Sequence, residues 1–555
     1  MKKSISVLLA IVMMVSMVAC GTSAGNATEP VQVAETAEQA TEAKTVEEVT
    51  TAAEVDPEAE KKGGVLDIAI YTDPGSIDPH AVIGAEMYKW ASSVYETPLS
   101  YDASGNLCPN VCDFELSEDG KTLKLWVRDG MTFHDGSTVE IEDVVASLER
   151  CALLQKDMKT NVIDIIESLD VKDGNATYVF SKYNPKTVDM LCSFKTIAAV
   201  MPKEICEKYG ADTFTDVADV IGTGPYKLAK YTPSIGYEME RYDGYAPVPE
   251  GHDGEAGPKK AYLDKINLWI NTDNTSRFTA LLNGEYDVVN DVQDENYIEL
   301  MKASGYEPVR TNSTKTFYMA FNTKGTRSVN DANLRKAIAS MLDQDSCITI
   351  NNAVSTASKD GSPLPTSSLY YNDKFEKADY VGAKDIELAK KYLAESNYNG
   401  EEIVILAFKF PDVCTVLEQD LKELGLNAKI VTMDTTAGNE FVADPNNAWD
   451  VIFAGATQVS AHPALLPKAL VDTYWGSERK DELMKALKGE RYGSAESLAQ
   501  WDELSSLWID DAAVVCVYDY SMIDVHHKDL VHDNPCNYFN HYYNMYWVNP
   551  SEHMN

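Results

Sequence analysis

Segments with the pattern of a β-strand alternate with segments with the pattern of an α-helix along this chain. The residues from Val65 to Tyr71 form a strand-like run, and a helical pattern from Glu86 to Tyr95 follows it. Leu123 and Leu125 alternate with polar neighbours as in a half-buried strand, and Thr138 to Leu154 then shows helical spacing. This alternation predicts an α/β fold.

The second half of the chain repeats the same order of segments. Asn330-Asp331 can cap a helix with an apolar stripe of Leu334, Ile338 and Met341. Residues 386–393 carry a second apolar stripe at helical spacing. A further helical segment runs from residue 413 to residue 424, and Gly425 is placed to end it. Residues 427–433 then have the pattern of the next strand. Both apolar helix stripes are expected to face a core.

The stretch from residue 63 to residue 555 is too long to fold around one hydrophobic core. Single cores stop growing at about 250–300 residues, so two or three domains are expected. Hydrophobic residues make up 44% of the chain, which is enough to fill them.

The N-terminus has the pattern of a secretory signal. Two lysines precede an apolar run from Ile5 to Ala19 that is short for a bilayer span. The run ends in Met-Val-Ala-Cys-Gly, which resembles the bacterial lipobox, with Met17 where leucine is usual. We therefore expect residues 1–19 to be a lipoprotein signal peptide and Cys20 to be lipidated, which anchors the protein to the outer face of the plasma membrane or in the periplasm. The alternative is an ordinary signal peptide that contains a cysteine.

Residues 20–62 are expected to form an acidic flexible stalk. From Thr28 to Lys62 there are ten acidic side chains, three lysines and no aromatic residue. Such a composition buries too little apolar surface to offset its ordering entropy, and like charges extend it. A helix that forms on docking is the alternative.

The formal net charge of −39 bears on the possible partners. Phosphates would be repelled, so neither nucleic acid nor an anionic lipid surface is expected to bind.

The cysteines and histidines do not form a recognisable framework or metal site. Nine cysteines besides Cys20 are scattered along the chain, and most are expected to be buried thiols. The sequence does not decide whether a local disulfide joins Cys108 and Cys112. His462 and a group of histidines near the C-terminus fit no standard metal-ligand spacing, so surface or edge positions are expected, with no metal and no cofactor. The C-terminal group is His526, His527, His532 and His541.

Several short motifs follow one another in a fixed order. They are Gly63-Gly64-Val65-Leu66, Ser76-Ile77-Asp78-Pro79-His80, Tyr95-Glu96-Thr97-Pro98-Leu99, Leu116-Ser117-Glu118-Asp119-Gly120-Lys121-Thr122, Arg128-Asp129-Gly130-Met131-Thr132-Phe133-His134-Asp135-Gly136, Gly222-Thr223-Gly224-Pro225-Tyr226, Leu281-Leu282-Asn283-Gly284-Glu285-Tyr286-Asp287, Tyr318-Met319-Ala320-Phe321-Asn322 and Leu334-Arg335-Lys336-Ala337-Ile338. This order resembles the bacterial extracellular solute-binding proteins of family 5, which include dipeptide, oligopeptide and nickel-chelate binders. The resemblance covers nearly everything from Gly63 to about Tyr520.

The resemblance implies an α/β fold of the periplasmic-binding-protein type II, with two lobes, a hinge and an inserted subdomain. Lobe I is expected at residues 63–95, 220–308 and 521–555. The inserted subdomain is expected at residues 96–219, and lobe II at residues 309–520.

The resemblance also points to a ligand-contacting stretch near the end of lobe II. In peptide-binding members an aspartate there pairs with the α-amine of the peptide, and Val459 takes its place in this chain. No acidic residue lies between Val451 and Pro463. A buried ammonium would therefore lack a counter-charge in this stretch, which argues against dipeptides and ordinary oligopeptides.

Other candidate site residues come from the same comparison with the family. Gly455, Ala456 and Thr457 would offer backbone polar groups, and Gln458 would add a neutral hydrogen-bond partner. Two aromatic walls would come from Tyr318 and Tyr520. No catalytic residue is assigned.

The expected function is capture of a small solute and its delivery to the permease and ATPase of an ABC transporter. The solute is peptide-like by family, with a non-peptide also open, and a monomer is expected. The alternatives are a secreted surface hydrolase and a ligand sensor or adhesin on the same fold. The sequence contains no HExxH motif, and its nucleophile-elbow pattern, Gly21 to Gly25, lies in the stalk and not at a strand-to-helix turn, so an enzyme is not expected.

Overall fold

The computed structural model describes residues 58–82, 84–192, 198–292, 294–310, 315–359, 361–366, 368–457, 460–533 and 541–554. The signal-peptide segment, Cys20 and all but the end of the predicted stalk lie outside the described residues. All described residues belong to one unit, Asp56–Asn555. Within them, no helix combines the length and the apolar character that a membrane crossing requires.

The helices of the described residues occur throughout this unit. In chain order, α1 to α15 span Ala85–Val94, Ile141–Leu154, Lys156–Asn161, Pro185–Cys192, Lys203–Tyr209, Asn274–Leu282, Glu295–Ala303, Ala332–Ser340, Gln344–Ile350, Ile386–Glu395, Pro411–Glu423, Thr435–Ala443, Lys468–Val471, Glu478–Leu487 and Ala495–Asp511.

The strands are interleaved with these helices. In chain order, β1 to β21 span Val65–Ile70, Leu99–Tyr101, Leu107–Pro109, Cys112–Leu116, Thr122–Val127, Ile166–Lys172, Asn175–Phe180, Tyr226–Thr232, Gly236–Arg241, Lys265–Ile270, Val288–Val289, Tyr306–Arg310, Lys315–Phe321, Ala357–Ser358, Ile403–Ala407, Ala428–Thr432, Val451–Thr457, Val514–Tyr520, Ile523–His527, Leu530–His532 and Met545–Trp547.

A seven-stranded mixed sheet in the order β12-β19-β11-β1-β10-β9-β8 forms the centre of what we call lobe I. Strand β1 runs parallel to both of its neighbours, β10 and β11. One face of β1 buries Leu66 and Ile68 against the helix that carries Trp90. The opposite face buries Ala69 with Phe278. Both faces are covered, which is why β1 reads as a continuous apolar run apart from Asp67.

A six-stranded mixed sheet in the order β14-β18-β13-β17-β15-β16 forms the centre of lobe II. Strand β13 lies between β17 and β18 and is antiparallel to both. Its side chains alternate between two buried clusters, with Phe317 on one face and Tyr318 on the other. Lobe II therefore has two cores, one on each side of β13.

A four-stranded antiparallel sheet in the order β4-β5-β7-β6 forms the centre of the inserted subdomain. Leu123 and Leu125 on β5 are fully buried, and they share a core with Leu148 on α2. Strand β5 thus has one buried face, as its sequence pattern predicts.

Several predicted elements are confirmed nearly residue for residue. Asp331 caps α8 by accepting hydrogen bonds from two backbone amides of its first turn, those of Asn333 and Leu334. Gly425 follows α11 with a φ of 90°, the left-handed conformation that ends many helices. Helix α2 begins later than expected, at Ile141, because Glu140 forms a capping box there.

The lobe boundaries along the chain stay a prediction. The strands of each central sheet fall within the segments expected for that region, with one difference at the end of lobe I. Residue 308 lies inside β12, so the sheet of lobe I continues to Arg310.

The cysteines of the described residues are buried free thiols, as expected for most of them. Cys108 and Cys112 belong to this set, so no local disulfide joins them. Burial raises the pKa of the Cys108 thiol to about 11.

Candidate ligand-binding site between the two sheets

One edge of the lobe II sheet carries most of the described candidate residues. Strand β17 ends at Thr457, and the antiparallel neighbour β13 begins beside it, so that Lys315 pairs with Thr457. On its other side Lys315 pairs with Tyr520, the last residue of β18. The ends of three strands therefore bring these three residues to the same edge.

Gly455 and Tyr520 are in close contact at this edge. A Cβ atom on Gly455 would lie 3.0 Å from the phenol oxygen of Tyr520. Gly455 and Thr457 are both exposed, and Tyr520 is half-buried. The ammonium of Lys315 lies 5.6 Å from the centre of the Tyr520 ring, within the range of a cation–π interaction. The structure therefore groups Gly455, Thr457 and Tyr520 on one surface.

Tyr318 and Ala456 lie on the other face of the same sheet. Tyr318 is 1% exposed and Ala456 is 7% exposed, and both belong to the core around Trp449. Burial and the neighbouring Tyr474 raise the pKa of Tyr318. The structure therefore does not bring the ring of Tyr318 to the surface that carries Tyr520. Gln458 and Val459 lie outside the described residues, and the roles expected for them stay predictions.

On the side that faces β15, most of β17 is not paired with another described strand. Among the described residues, Val451 is the one residue of β17 that pairs with β15, whereas β17 pairs with β13 along its whole length. Within the described part of the chain, the residues from Phe453 to Thr457 therefore have no strand neighbour on one side, and Gly455 and Thr457 are the exposed residues among them. Such a segment can pair with the backbone of an extended ligand.

The matching edge of lobe I carries charged and polar side chains. Strands β1 and β11 are parallel neighbours, so the residues that follow them meet at one edge. Tyr71 follows β1, and Asn290 and Asp291 follow β11. The ammonium of Lys89 lies 5.0 Å from the centre of the Tyr71 ring, and the guanidinium of Arg277 lies 5.7 Å from it.

Hydrogen bonds fix the positions of these groups. Lys89 is 2% exposed, and its ammonium donates to Glu86 at 2.7 Å and to the side-chain oxygen of Asn290. The amide nitrogen of Asn290 donates to Asp524 at 2.8 Å. The backbone N–H of Asp291 donates to the same carboxylate oxygen at 3.0 Å. The edge is therefore a preorganised polar network.

Asp291 has a left-handed backbone with a φ of 54°. Aspartate is one of the few residues that adopt this conformation, and it does so at a cost. Backbone strain of this kind concentrates at functional sites.

The charges of this edge reach lobe II. Burial, together with the carboxylates of Glu86 and Asp291, raises the pKa of Tyr71 to about 12. Burial also raises the pKa of Tyr520, and the charge of Asp291 adds to that effect. Tyr520 of lobe II therefore lies in the field of Asp291 of lobe I, which indicates that the two edges face each other.

Direct hydrogen bonds join the lobes beside this site. The carboxylate of Glu295 in lobe I accepts from the backbone N–H of Ser355 at 2.7 Å and from its hydroxyl. Arg310 at the end of β12 donates to the carbonyl of Ala357 at 2.6 Å. The backbone N–H of Ser521 donates to the carbonyl of Thr356 at 2.9 Å. The contacts of Arg310 and Ser521 lie where the chain passes between the two sheets, which is the position expected of a hinge.

Three of the five histidines do not occupy the surface or edge positions that the sequence suggested, whereas His527 and His532 are half-buried at the ends of β19 and β20. His526 and His541 are each 1% exposed and His462 is 6% exposed, so the expectation is wrong for these three. His526 lies on β19, an inner strand that is covered on both faces. Within the described part of the chain, no three His, Cys, Asp or Glu side chains come together as a metal site would require.

Known proteins share this architecture and sequence pattern. The family of bacterial extracellular solute-binding proteins, family 5 (middle region), matches residues 91–477. A probable peptide ABC transporter periplasmic-binding protein, y4tO of Sinorhizobium fredii, is 25% identical over 477 residues, which cover 78% of this chain and 84% of that protein. The glutathione-binding protein GsiB of Pectobacterium atrosepticum is 23% identical over 66% of this chain and 69% of its own.

Solved structures agree in fold. The substrate-binding protein CtaP of an ABC transporter from Listeria monocytogenes superposes with a TM-score of 0.70 at 21% identity, covering 88% of this chain and all of that one. The resemblance seen in the motifs is thereby confirmed. The chain belongs to the bacterial extracellular solute-binding proteins of family 5, and it is an extracytoplasmic solute-binding protein.

Proposed function

We propose that the protein captures a small peptide-like solute between the two facing sheet edges and presents it to the permease of an ABC transporter. The observation that carries this proposal is the pair of edges itself. The edge after β1 and β11 supplies charged groups, and the edge of β17 supplies free backbone and the ring of Tyr520. Relatives named as ABC transporter binding proteins for peptides and for glutathione support the partner and the ligand class.

The unpaired side of β17 favours a ligand with an extended amide backbone. Gly455 and Thr457, the exposed residues of this stretch, can exchange N–H and C=O hydrogen bonds with such a ligand on one side. Gly455 has no side chain to hold the ligand away from the strand. A peptide, a γ-linked peptide or a peptide-like conjugate fits this arrangement.

The charge of lobe II disfavours a free α-amine near the end of β17. The sequence from Val451 to Pro463 has no acidic residue. An ammonium buried beside this segment would lose its hydration without gaining a counter-charge there. A ligand whose amine is acylated, or lies on the lobe I side near Asp291, avoids this cost.

A thermal-shift screen of the extracytoplasmic chain tests the ligand class. The screen compares free-amine dipeptides and tripeptides with their N-acetylated forms, glutathione, opines and oligosaccharides, because a ligand of the native state raises the melting temperature. We expect acylated or γ-linked peptides to stabilise the protein most. Stronger stabilisation by ordinary free-amine dipeptides contradicts the assignment at Val459, and stabilisation by sugars alone contradicts the peptide-like class. Mass spectrometry of the same samples detects any hydrolysis, which would favour the hydrolase.

We also propose that Cys20 carries the lipid anchor and that the acidic stalk holds a monomer near its permease. The lipobox-like sequence before Cys20 and the composition of residues 20–62 support this. Expression of Cys20→Ser is expected to move the protein from the membrane fraction to the medium or the periplasmic fluid, whereas Cys108→Ser stays with the membrane. Equal membrane retention of both variants contradicts the anchor.

A further inference from the structure

A cavity of about 220 Å³ lies between the inserted subdomain and lobe II. The subdomain contributes Tyr101, Leu107 and Phe114, and lobe II contributes His462 and Tyr492. None of the residues at the two facing sheet edges lines it. The cavity is therefore a separate site, which the candidate ligand-binding edges do not explain.

Aromatic rings in fixed positions form part of its wall. The Tyr492 ring lies 5.4 Å from the ring of His462 and 5.1 Å from the ring of Tyr370, measured between centroids. An apolar cavity of about 150 Å³ in another protein takes up benzene. A larger cavity with such walls accommodates a substituted aromatic ring or a branched aliphatic chain.

His462 presents a hydrogen-bond donor that has no acceptor. Its Nδ1 accepts from the backbone N–H of Ala464 at 3.1 Å, which places the proton of the neutral ring on Nε2. Burial lowers the pKa of His462 to about 4, so the ring is neutral at pH 7. Among the described residues, Nε2 has no hydrogen-bond partner. A buried donor without a partner costs free energy, which a ligand acceptor would recover.

The neutral ring of His462 disfavours one kind of acceptor. Among the described residues that line the cavity, Arg491 is the one cation, and Asp102 opposes it. An anion beside the neutral ring of His462 would lose its hydration without gaining a counter-charge there. The acceptor that fits is a neutral carbonyl, amide or hydroxyl oxygen.

Contacts between the subdomain and lobe II form one side of the cavity. The phenol of Tyr492 donates to the carbonyl of Ser104 at 2.6 Å. Gly105 lies so close that a Cβ there would be 2.6 Å from the Tyr492 oxygen and 2.8 Å from the Cβ of Ala461. The turn between β2 and β3 therefore lies directly against lobe II and fixes this side of the cavity.

We infer that this cavity binds an uncharged aromatic or branched aliphatic group that carries a hydrogen-bond acceptor, with the acceptor on Nε2 of His462. The chain from Gly455 to Ala461 links the cavity to the edge of β17, and six residues span at most about 20 Å. The identification of the bound group as a side chain of the captured solute rests on the proposed function. The inference that a group of this class occupies the cavity is independent of the proposed function.

Calorimetric titration of the full chain with benzamide tests the inference. Ethylbenzene, which lacks an acceptor, and benzoate, which is an anion, are titrated in parallel. We expect benzamide to bind best and benzoate worst. His462→Phe keeps the ring stacking and removes the donor, so it is expected to weaken benzamide about tenfold, in line with one lost hydrogen bond, and to leave ethylbenzene unchanged.

A variant that fills the cavity provides the second arm. Val188 on α4 lines the cavity and is half-buried, so Val188→Trp places an indole inside it and is expected to abolish binding of both neutral probes. His553→Phe is the matched control, because His553 stacks on Trp547 away from the cavity and the ring is kept. Near-ultraviolet circular dichroism checks the fold, and Leu107→Trp replaces Val188→Trp if that variant does not fold.

Unchanged benzamide affinity in the filled variant, or equal weakening by His553→Phe, overturns the inference. Failure of the solute screen while benzamide still binds the wild type and not the filled variant overturns the proposed ligand class and leaves the cavity site standing. The two ideas therefore fail separately.

Discussion

The two sheet edges that face each other differ in how they hold their polar groups. In lobe I, Lys89 donates to both Glu86 and Asn290, and Asp524 fixes the backbone of Asp291. In lobe II, exposed backbone at Gly455 and Thr457 lies beside one half-buried phenol, that of Tyr520. The two edges therefore have different expected roles. Lobe I holds its charged groups in place before the ligand binds, and lobe II aligns the main chain of the ligand.

The largest expected effect tests whether the charges of lobe I are structural. Lys89→Met leaves the half-buried Glu86 and the side chain of Asn290 without their cation, and breaking a buried pair costs about 3–5 kcal/mol of unfolding free energy. Urea titration of the wild type and the variant measures it.

The chain offers a matched control for this substitution. Lys302 and Glu299 form a pair with the same spacing and the same 2.7 Å distance, but their side chains are 42% and 62% exposed. Lys302→Met should cost less than about 1 kcal/mol. Equal losses in the two variants would show that the network of lobe I is not preorganised by burial.

The next effect tests the backbone role of lobe II. Gly455→Val places a side chain where a Cβ is already 3.0 Å from the Tyr520 oxygen, on the surface that the ligand main chain would contact. Because this side chain would displace the ligand, affinity for the best ligand of the solute screen should fall about ten- to hundredfold, which corresponds to about 1.4–2.7 kcal/mol. Calorimetry measures it, with Gly489→Ala as the control at a glycine where a Cβ meets one atom at 3.3 Å.

A pH effect distinguishes the two ends of the lobe I strands. Asp287 precedes β11, at the opposite end from Asp291, and burial raises its pKa from 3.8 to about 7 with a further contribution from Asp67. The folded protein holds this proton more tightly than the unfolded chain does. Its contribution to stability is therefore fully present below pH 3.8 and is lost as the pH rises through 7.

Asp287→Asn is expected to remove this part of the pH dependence. Asparagine can still accept the hydrogen bond from the backbone N–H of Asp67, which is 2.8 Å long in the wild type. Melting temperatures between pH 4 and pH 8 should fall less in the variant than in the wild type or in Asp129→Asn, an exposed control. A parallel decline in all three proteins would remove Asp287 as the cause.

The smallest expected effect concerns the phenol of Tyr520. Tyr520→Phe keeps the ring that contacts Gly455 and loses one polar group, so ligand affinity should fall by about threefold to tenfold, as for a single hydrogen bond. Tyr231→Phe, a change on β8 of lobe I, is the control. If the Tyr520 variant keeps the affinity of the wild type, the contribution of lobe II to binding comes from its backbone alone.

The sequence predicts local elements well because their signals are local. Asp331 and Gly425 mark helix ends by chemistry that acts within a few residues. Tyr318 shows the limit of the resemblance to the family. The resemblance assigns a position in the sequence, but it does not show which face of the strand the side chain occupies. Phe317 and Met319 beside it are also buried, so no alternation in the sequence shows which side of β13 is the core.

The lobe I edge could not be predicted because distant segments form it. Tyr71 and Asp291 meet only since β1 pairs in parallel with β11, more than two hundred residues away. The sequence shows that polar residues directly follow two strand-like runs. These residues predict a site only when the pairing of the two strands is known. His526 was misplaced for a related reason, because the sequence does not show that β19 is an inner strand.

The buried thiols have a consequence for how this protein is made and followed. No described element depends on oxidation of a cysteine, so these lobes are expected to reach the native state in reducing or oxidising surroundings alike. Cys192 and Tyr492 both line the cavity, and burial raises the pKa of Cys192. A neutral, enclosed thiol reacts with an alkylating reagent only during an opening event. The labelling rate at Cys192 thus measures how often this wall of the cavity opens.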